Sequence, residues 1–312
     1  VGYEFQRGEP VPVGVRRVAR EQIDGALGGL AEPSRLGVEE TVHDVRKRCK
    51  KVRGLARLVR GAIGSRGFDS VNSPVREAAG ELSPMRDAHA LLATFDRLVA
   101  TDPAGLGSDL EPVRAELQRR SAGASPDQVG GAERIARAAE LLEVALVASQ
   151  RWRLHDDRVV ERGVRRIYGR GRAALRVSTS GGDGEARHEW RKREKDLWYA
   201  TRLLALSAPS VLVALEARLD ELAEALGDDH DLAVLCALLH SEPDMFGGSP
   251  YVDRVHRLAD RTAADLQVRA FRLGATLYSE SPKAFGRRLG GYWQAWHELG
   301  DERPVGALDA VT

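Results

Sequence analysis

His43-Asp44-Val45-Arg46-Lys47-Arg48-Cys49-Lys50 is echoed 145 positions later by His188-Glu189-Trp190-Arg191-Lys192-Arg193-Glu194-Lys195. The same offset joins Arg57 to Arg202 and Leu58 to Leu203. In each copy basic residues stand at His, +3, +7 and +14: His43, Arg46, Lys50 and Arg57, then His188, Arg191, Lys195 and Arg202. Steps of three and four keep side chains on one helix face. A globular helix usually carries Leu, Ile and Val on the face it buries. Here the stripe is cationic and occurs twice, which calls for a polyanion to neutralise it.

The bulk numbers are less telling. The chain has 312 residues, of which 43% are hydrophobic and 30% charged, so it can form a core and a well-solvated surface. The formal net charge is only +1. Its distribution is uneven: 43–60 holds eight Arg/Lys and one acid, 158–176 seven Arg and one Glu, and 212–231 seven acids and one Arg. Such separation creates local fields that net charge hides. Two cysteines, Cys49 and Cys236, form neither a metal spacing nor a disulfide framework, as expected in a reducing cytosol. No signal peptide is visible in the first residues, and apolar runs such as Leu232–Leu239 are too short to span a bilayer, so no membrane role is expected.

Helix formers dominate, and no long stretch alternates β-branched with polar residues, so the fold class is all-α. Ser-Pro pairs at 73–74, 83–84, 249–250 and 281–282 read as helix starts. Helices are expected near 13–30, 38–63, 74–81, 84–100, 112–120, 131–177 (with a break allowed), 185–206, 211–226, 230–240, 250–278 and 282–299. The Gly-rich segment Ser178–Gly184 reads as a linker. Leu82-Ser83-Pro84-Met85-Arg86-Asp87 resembles Leu226-Gly227-Asp228-Asp229-His230-Asp231, and both read as turns. The chain therefore reads as an internal duplication, with helical halves at 10–178 and 185–300 packed about a pseudo-two-fold axis.

The His-x-x-Arg…Lys…Arg helix, its second copy, the Leu-x-x-x-[Arg/His]-Asp segments and the run Arg165-Arg166-Ile167-Tyr168-Gly169-Arg170-Gly171-Arg172 together resemble the CHAD domain, the conserved histidine α-helical domain. The closing Leu277–Trp293 segment is similar to that family's last helices, and the likeness runs from about Val13 to Leu299. It implies two four-helix bundles with a basic cleft or pore between them. It also implies binding of long-chain inorganic polyphosphate, association with cytoplasmic polyphosphate granules and contact with other granule proteins. Carried over onto this sequence, His43, Arg46, Lys50, Lys51, Arg53 and Arg57 match the first basic helix. His188, Arg191, Lys192, Lys195, Tyr199 and Arg202 match the second. Lys47, Arg86, Arg165, Arg166, Arg170 and His230 are further candidate ligands, as are Lys283, Arg287 and Arg288 after a helix start, where backbone N–H groups favour anions. Asp196 and Trp198 stand where that family carries more basic residues, so the second helix is expected to be the weaker ligand. The Glu-x-Glu-x-Lys signature of the triphosphate-tunnel hydrolase often fused to such domains is absent, so binding without hydrolysis is expected, with no cofactor.

The chemistry suits a thin anionic chain. Arg and Lys at +3/+4 steps supply cations about every 5–6 Å. Arg grips phosphate oxygens in bidentate fashion and Lys offers a point charge. Affinity should fall with salt as counterions are released. Protonated His43 and His188 would add donors, so binding should strengthen below neutral pH. Aromatics are 5% of the chain and absent from 43–60, so base reading is not expected and nucleic acid would bind only non-specifically. Two rivals remain. One is a metal-dependent helical phosphohydrolase, with Asp229, His230 and Asp231 as the candidate cluster. The other is an interaction scaffold using the acidic 212–231 face.

Overall fold

The computed structural model describes residues 2–32, 37–102, 110–123, 131–154 and 158–298, with the side chains of 39 and 84–88 outside the description. Among the described residues the structure is entirely helical. The order is α1 (Val11–Ala31), α2 (Val38–Glu81), α3 (Pro84–Ala100), α4 (Glu111–Gly123), α5 (Gly131–Gln150), α6 (Val159–Thr179), α7 (Gly184–Leu203), α8 (Pro209–Ser241), α9 (Ser249–Leu277) and α10 (Pro282–Glu298). None of these helices is long and apolar enough to cross a membrane.

The longest element, α2, is a hairpin. Gly64 has φ +70° and ψ 176°, a conformation open to glycine, and it breaks the helix into arms 38–63 and 65–81. The arms run back along each other: Arg46 Nη1 donates to the Ala79 carbonyl at 2.8 Å, and Arg53 Nε to Asn72 Oδ1 at 3.1 Å. Ser73-Pro74 does not start a helix, contrary to expectation. Pro74 sits inside the second arm, which stays helical because Val71, Val75 and Ala78 are fully buried on one face.

A second correction concerns 226–231. The segment is not a turn; α8 passes through it unbroken. Leu219, Leu222, Leu226, Leu232, Leu235 and Leu239 are buried along the whole helix, so apolar packing at both ends holds it straight through Gly227. The 131–177 stretch breaks at 151–158, where Trp152 Nε1 donates to the Gly67 carbonyl at 2.8 Å. The linker is shorter than read, since α6 runs to Thr179 and α7 starts at Gly184; Asp183 caps α7, its carboxylate accepting from the Ala186 N–H at 3.0 Å.

Two apolar cores result. The larger joins α1, α2, α5, α6, α7, α10, the first half of α8 and the second half of α9, with Leu55, Val59, Tyr168 and Trp190 deep inside. The smaller joins α3 and α4 to the distal half of α8 and the first half of α9, through Phe95, Leu117, Leu235, Phe246 and Val255. Packing therefore crosses from the first part of the sequence to the second in both places.

Candidate anion-binding site

The two basic helices touch where the chain has a glycine. A Cβ at Gly54 would stand 2.7 Å from Tyr199 Cβ, so α2 and α7 meet more closely than a side chain at 54 would permit. Tyr199 is 7% exposed and packs edge-on against Tyr3 at 5.9 Å, so it serves the crossing rather than an open surface. Around this point Arg57 Nη1 pairs with Asp196 Oδ1 at 3.0 Å, and Lys51 lies in the field of Arg202. The helices run in opposing directions there. His43 and His188 consequently lie on opposite sides of the crossing, each about 16 Å along its helix. The rows thus converge at their C-terminal ends, not along their length.

The convergence forms a cluster of guanidiniums. Arg53, Arg57 and Arg60 come from α2, Arg166 and Arg170 from α6, and Arg193 from α7. Arg193 Nη1 shares Asp196 with Arg57, at 3.4 Å from Oδ2. Burial, then the Arg57 charge, pushes Arg53 down to about 10. Burial, then Arg60 and Arg170, lowers Arg166; burial, then Arg193 and Arg60, lowers Arg170. Arg166 also holds the helices together, donating through Nη2 to the Arg57 carbonyl at 2.6 Å. Like charges crowded into a low-dielectric junction repel one another, and an entering anion relieves that repulsion.

The rows differ in what faces them. Arg53 meets the Asn72 amide and the Arg76 charge on the second arm of α2, a face without acid at those positions. The second row meets acids on α8: Lys195 Nζ lies 3.9 Å from Asp220 Oδ1, and Arg202 Nε 3.1 Å from Glu216 Oε1. Lys195 and Arg202 also sit over the Trp198 ring, at 4.6 and 4.7 Å. The acidic 212–231 face is thus turned in part toward α7.

Nearer the start of α7, His188 and His230 lie against each other with ring centres 4.0 Å apart and planes tilted by 31°. Burial, then the neighbouring His230, Lys192 and Arg191 charges, lowers His188; burial and Arg191 lower His230. Without a bound anion, their charging therefore needs a lower pH than a free imidazole does. The Arg191 guanidinium lies against α8 at Gly227. Lys192 Nζ pairs with Glu189 at 2.8 Å.

The remaining candidates scatter. His43, Lys47 and Lys50 are exposed on α2, while Arg46 is half-buried and also bonds Ser83 Oγ. Arg165 is exposed on α6, its Cβ against Gly286 of α10. Lys283 and Arg287 are exposed on α10, and Arg288 pairs with Glu280 at 2.5 Å. Arg86 lies outside the described side chains. Arg60 and Arg193 were missed because both fall off the +3/+7/+14 register; only the dense charge of 43–60 and 187–195 signalled them. Among the described residues no three His, Cys, Asp or Glu side chains gather to hold a metal. Asp229 of the rival cluster is bound by Arg187 Nε at 2.8 Å and Gln267 Nε2 at 2.7 Å.

Fold and site define an all-helical protein with an arginine cluster at the meeting of two basic helices. Comparison with protein families matches the CHAD domain over residues 18–240, and the chain belongs to that family. The match ends near the end of α8, leaving α9 and α10 beyond it. Comparison with curated proteins finds no match.

Proposed function

We propose that this protein binds long-chain inorganic polyphosphate at the α2–α6–α7 junction without cleaving it, and works at polyphosphate granules beside other granule proteins. The observation that carries the reading is the crowding of six arginines from three helices, five half-buried and Arg170 exposed, with Arg53, Arg166 and Arg170 all lowered by burial and by like charge. A baseless chain with a charge on each repeat suits a narrow junction better than a duplex does.

The reading includes two halves, 10–178 and 185–300, forming two bundles about a pseudo-two-fold axis through the Gly54–Tyr199 contact. Gly54 and Tyr199 are 145 apart, as are Lys51 and Asp196, and Arg57 and Arg202. Such an axis exchanges the Arg57–Asp196 pair with the Arg202–Lys51 pair, an attraction on one side and a repulsion on the other. The basic cleft is then lopsided, with its stronger side on α2.

The test mixes the protein with polyphosphate of defined length, with short double-stranded DNA, and with Mg2+ or Mn2+, following binding and phosphate release. Polyphosphate should bind far more tightly than DNA, with log K falling linearly with log salt and no phosphate released. Equal affinity for DNA refutes the polyphosphate reading, and metal-dependent release makes the protein a hydrolase.

A further inference from the structure

Two carboxylates of α7 reach the arginine cluster: the more exposed Glu189, which pairs with Arg193 at its edge, and the buried Asp196 at its centre. Asp196 is 6% exposed and pairs with Arg57 from α2 and Arg193 from its own helix, at 3.0 and 3.4 Å. Arg53 of α2 and Arg170 of α6 also act on it. It therefore occupies ground on which a phosphate group would be gripped, and an anion entering the cluster competes with it for the same donors. Burial outweighs these four cations and raises its carboxyl above the usual range, so the ionised carboxylate is costlier to keep here than in water.

We propose that Asp196 is a specificity-determining residue, an internal competitor that keeps weakly charged anions out of the arginine cluster and yields only to a ligand with many linked charges. This rests on the polyphosphate reading. A single orthophosphate has to displace the carboxylate with its own charge alone. A condensed chain is held at several cations at once, and its further contacts raise the effective concentration of the group facing Arg57 and Arg193. Asp196 thus acts as a threshold on chain length rather than as a ligand.

The test is Asp196→Asn, nearly isosteric and neutral, compared with wild type by calorimetry against orthophosphate, tripolyphosphate and a long chain at several salt concentrations. The variant should bind tripolyphosphate about tenfold tighter or more, as one adjacent like charge is removed. The gain for the long chain should be smaller. The salt slope should steepen by about one unit, because the freed arginine now neutralises phosphate. Polyphosphate should also raise the unfolding temperature of the variant more than that of wild type, since it replaces the missing counter-charge. Should the Asn variant fail to fold, Asp196→Ser serves as the second neutral variant. Wild type that binds the long chain while the neutral variant binds tripolyphosphate no tighter overturns the role of Asp196 alone. Wild type that binds no polyphosphate of any length overturns the functional reading along with it.

Discussion

The crossing of α2 and α7 offers the sharpest test of how this chain places its cations. In Gly54→Ala the new methyl would stand 2.7 Å from Tyr199 Cβ, and 3.1 Å from both Tyr199 Cγ and Tyr3 Oη. Neither neighbour can retreat cheaply. Tyr199 is nearly buried against Tyr3, and the Tyr3 hydroxyl donates to the Lys51 carbonyl at 2.9 Å. Ala is the better helix former by about 0.8–1 kcal/mol. Forcing a methyl into a packed contact costs about 1–3 kcal/mol. The clash offsets or outweighs propensity, for a net loss of up to about 2 kcal/mol. Gly28 in α1 provides the control, because a Cβ there meets nothing within 4 Å. Gly28→Ala should therefore gain roughly 0.5–1 kcal/mol. Urea unfolding followed by circular dichroism reads both as midpoint shifts at constant slope. If Gly54→Ala moves the midpoint upward alongside Gly28→Ala, the close approach that brings the rows together is not there.

Three other outcomes follow from buried titratable groups. Glu194 is fully buried, neither carboxylate oxygen has a hydrogen-bond partner among the described residues, and burial raises it well above the usual carboxylate range. Its folded form holds the proton more tightly than the unfolded chain does, so stability is complete below about pH 4.3 and is lost as pH rises through the folded value. Glu194→Gln should raise stability by about 1–3 kcal/mol at pH 8 and by much less at pH 4; an equal effect at both refutes this. His188 and His230 are both lowered, so in nuclear magnetic resonance titrations each should charge below the ordinary imidazole range, and polyphosphate should move both upward. Unmoved midpoints would mean that the chain does not reach the start of α7. Burial pushes the Cys49 thiol up to about 12 and Cys236 to about 11, so the folded protein at pH 8 should resist alkylation at both, and fast labelling of Cys49 would contradict its place in the core.

Much of the helical content was legible without coordinates, because helix formers and apolar spacing act over a few residues. The Ser-Pro starts at 83–84, 249–250 and 281–282 are local signals, and each lies at the start of a helix. Pro74 and the 226–231 segment misled because their local chemistry favours a break, while apolar faces on both sides of them are buried by distant helices. Local propensity amounts to about a kilocalorie per residue, and the burial of several Leu and Val side chains exceeds it.

The sequence by itself determined that two basic helices recur with one spacing, that they carry an excess of cations, and that the second is the poorer in charge. Those are properties of residue order, and no packing alters them. Which cations meet was decided only by tertiary structure. The absence of a side chain at Gly54 lets α2 and α7 cross there, so Arg53, Arg57 and Arg60 gather with Arg166, Arg170 and Arg193 while His43 and His188 are carried apart. Whether each cation keeps its field was decided there too, since Asp220 and Glu216 reach Lys195 and Arg202 only because α8 folds back along α7. Coulomb interactions depend on distance and burial, and neither is written along the chain.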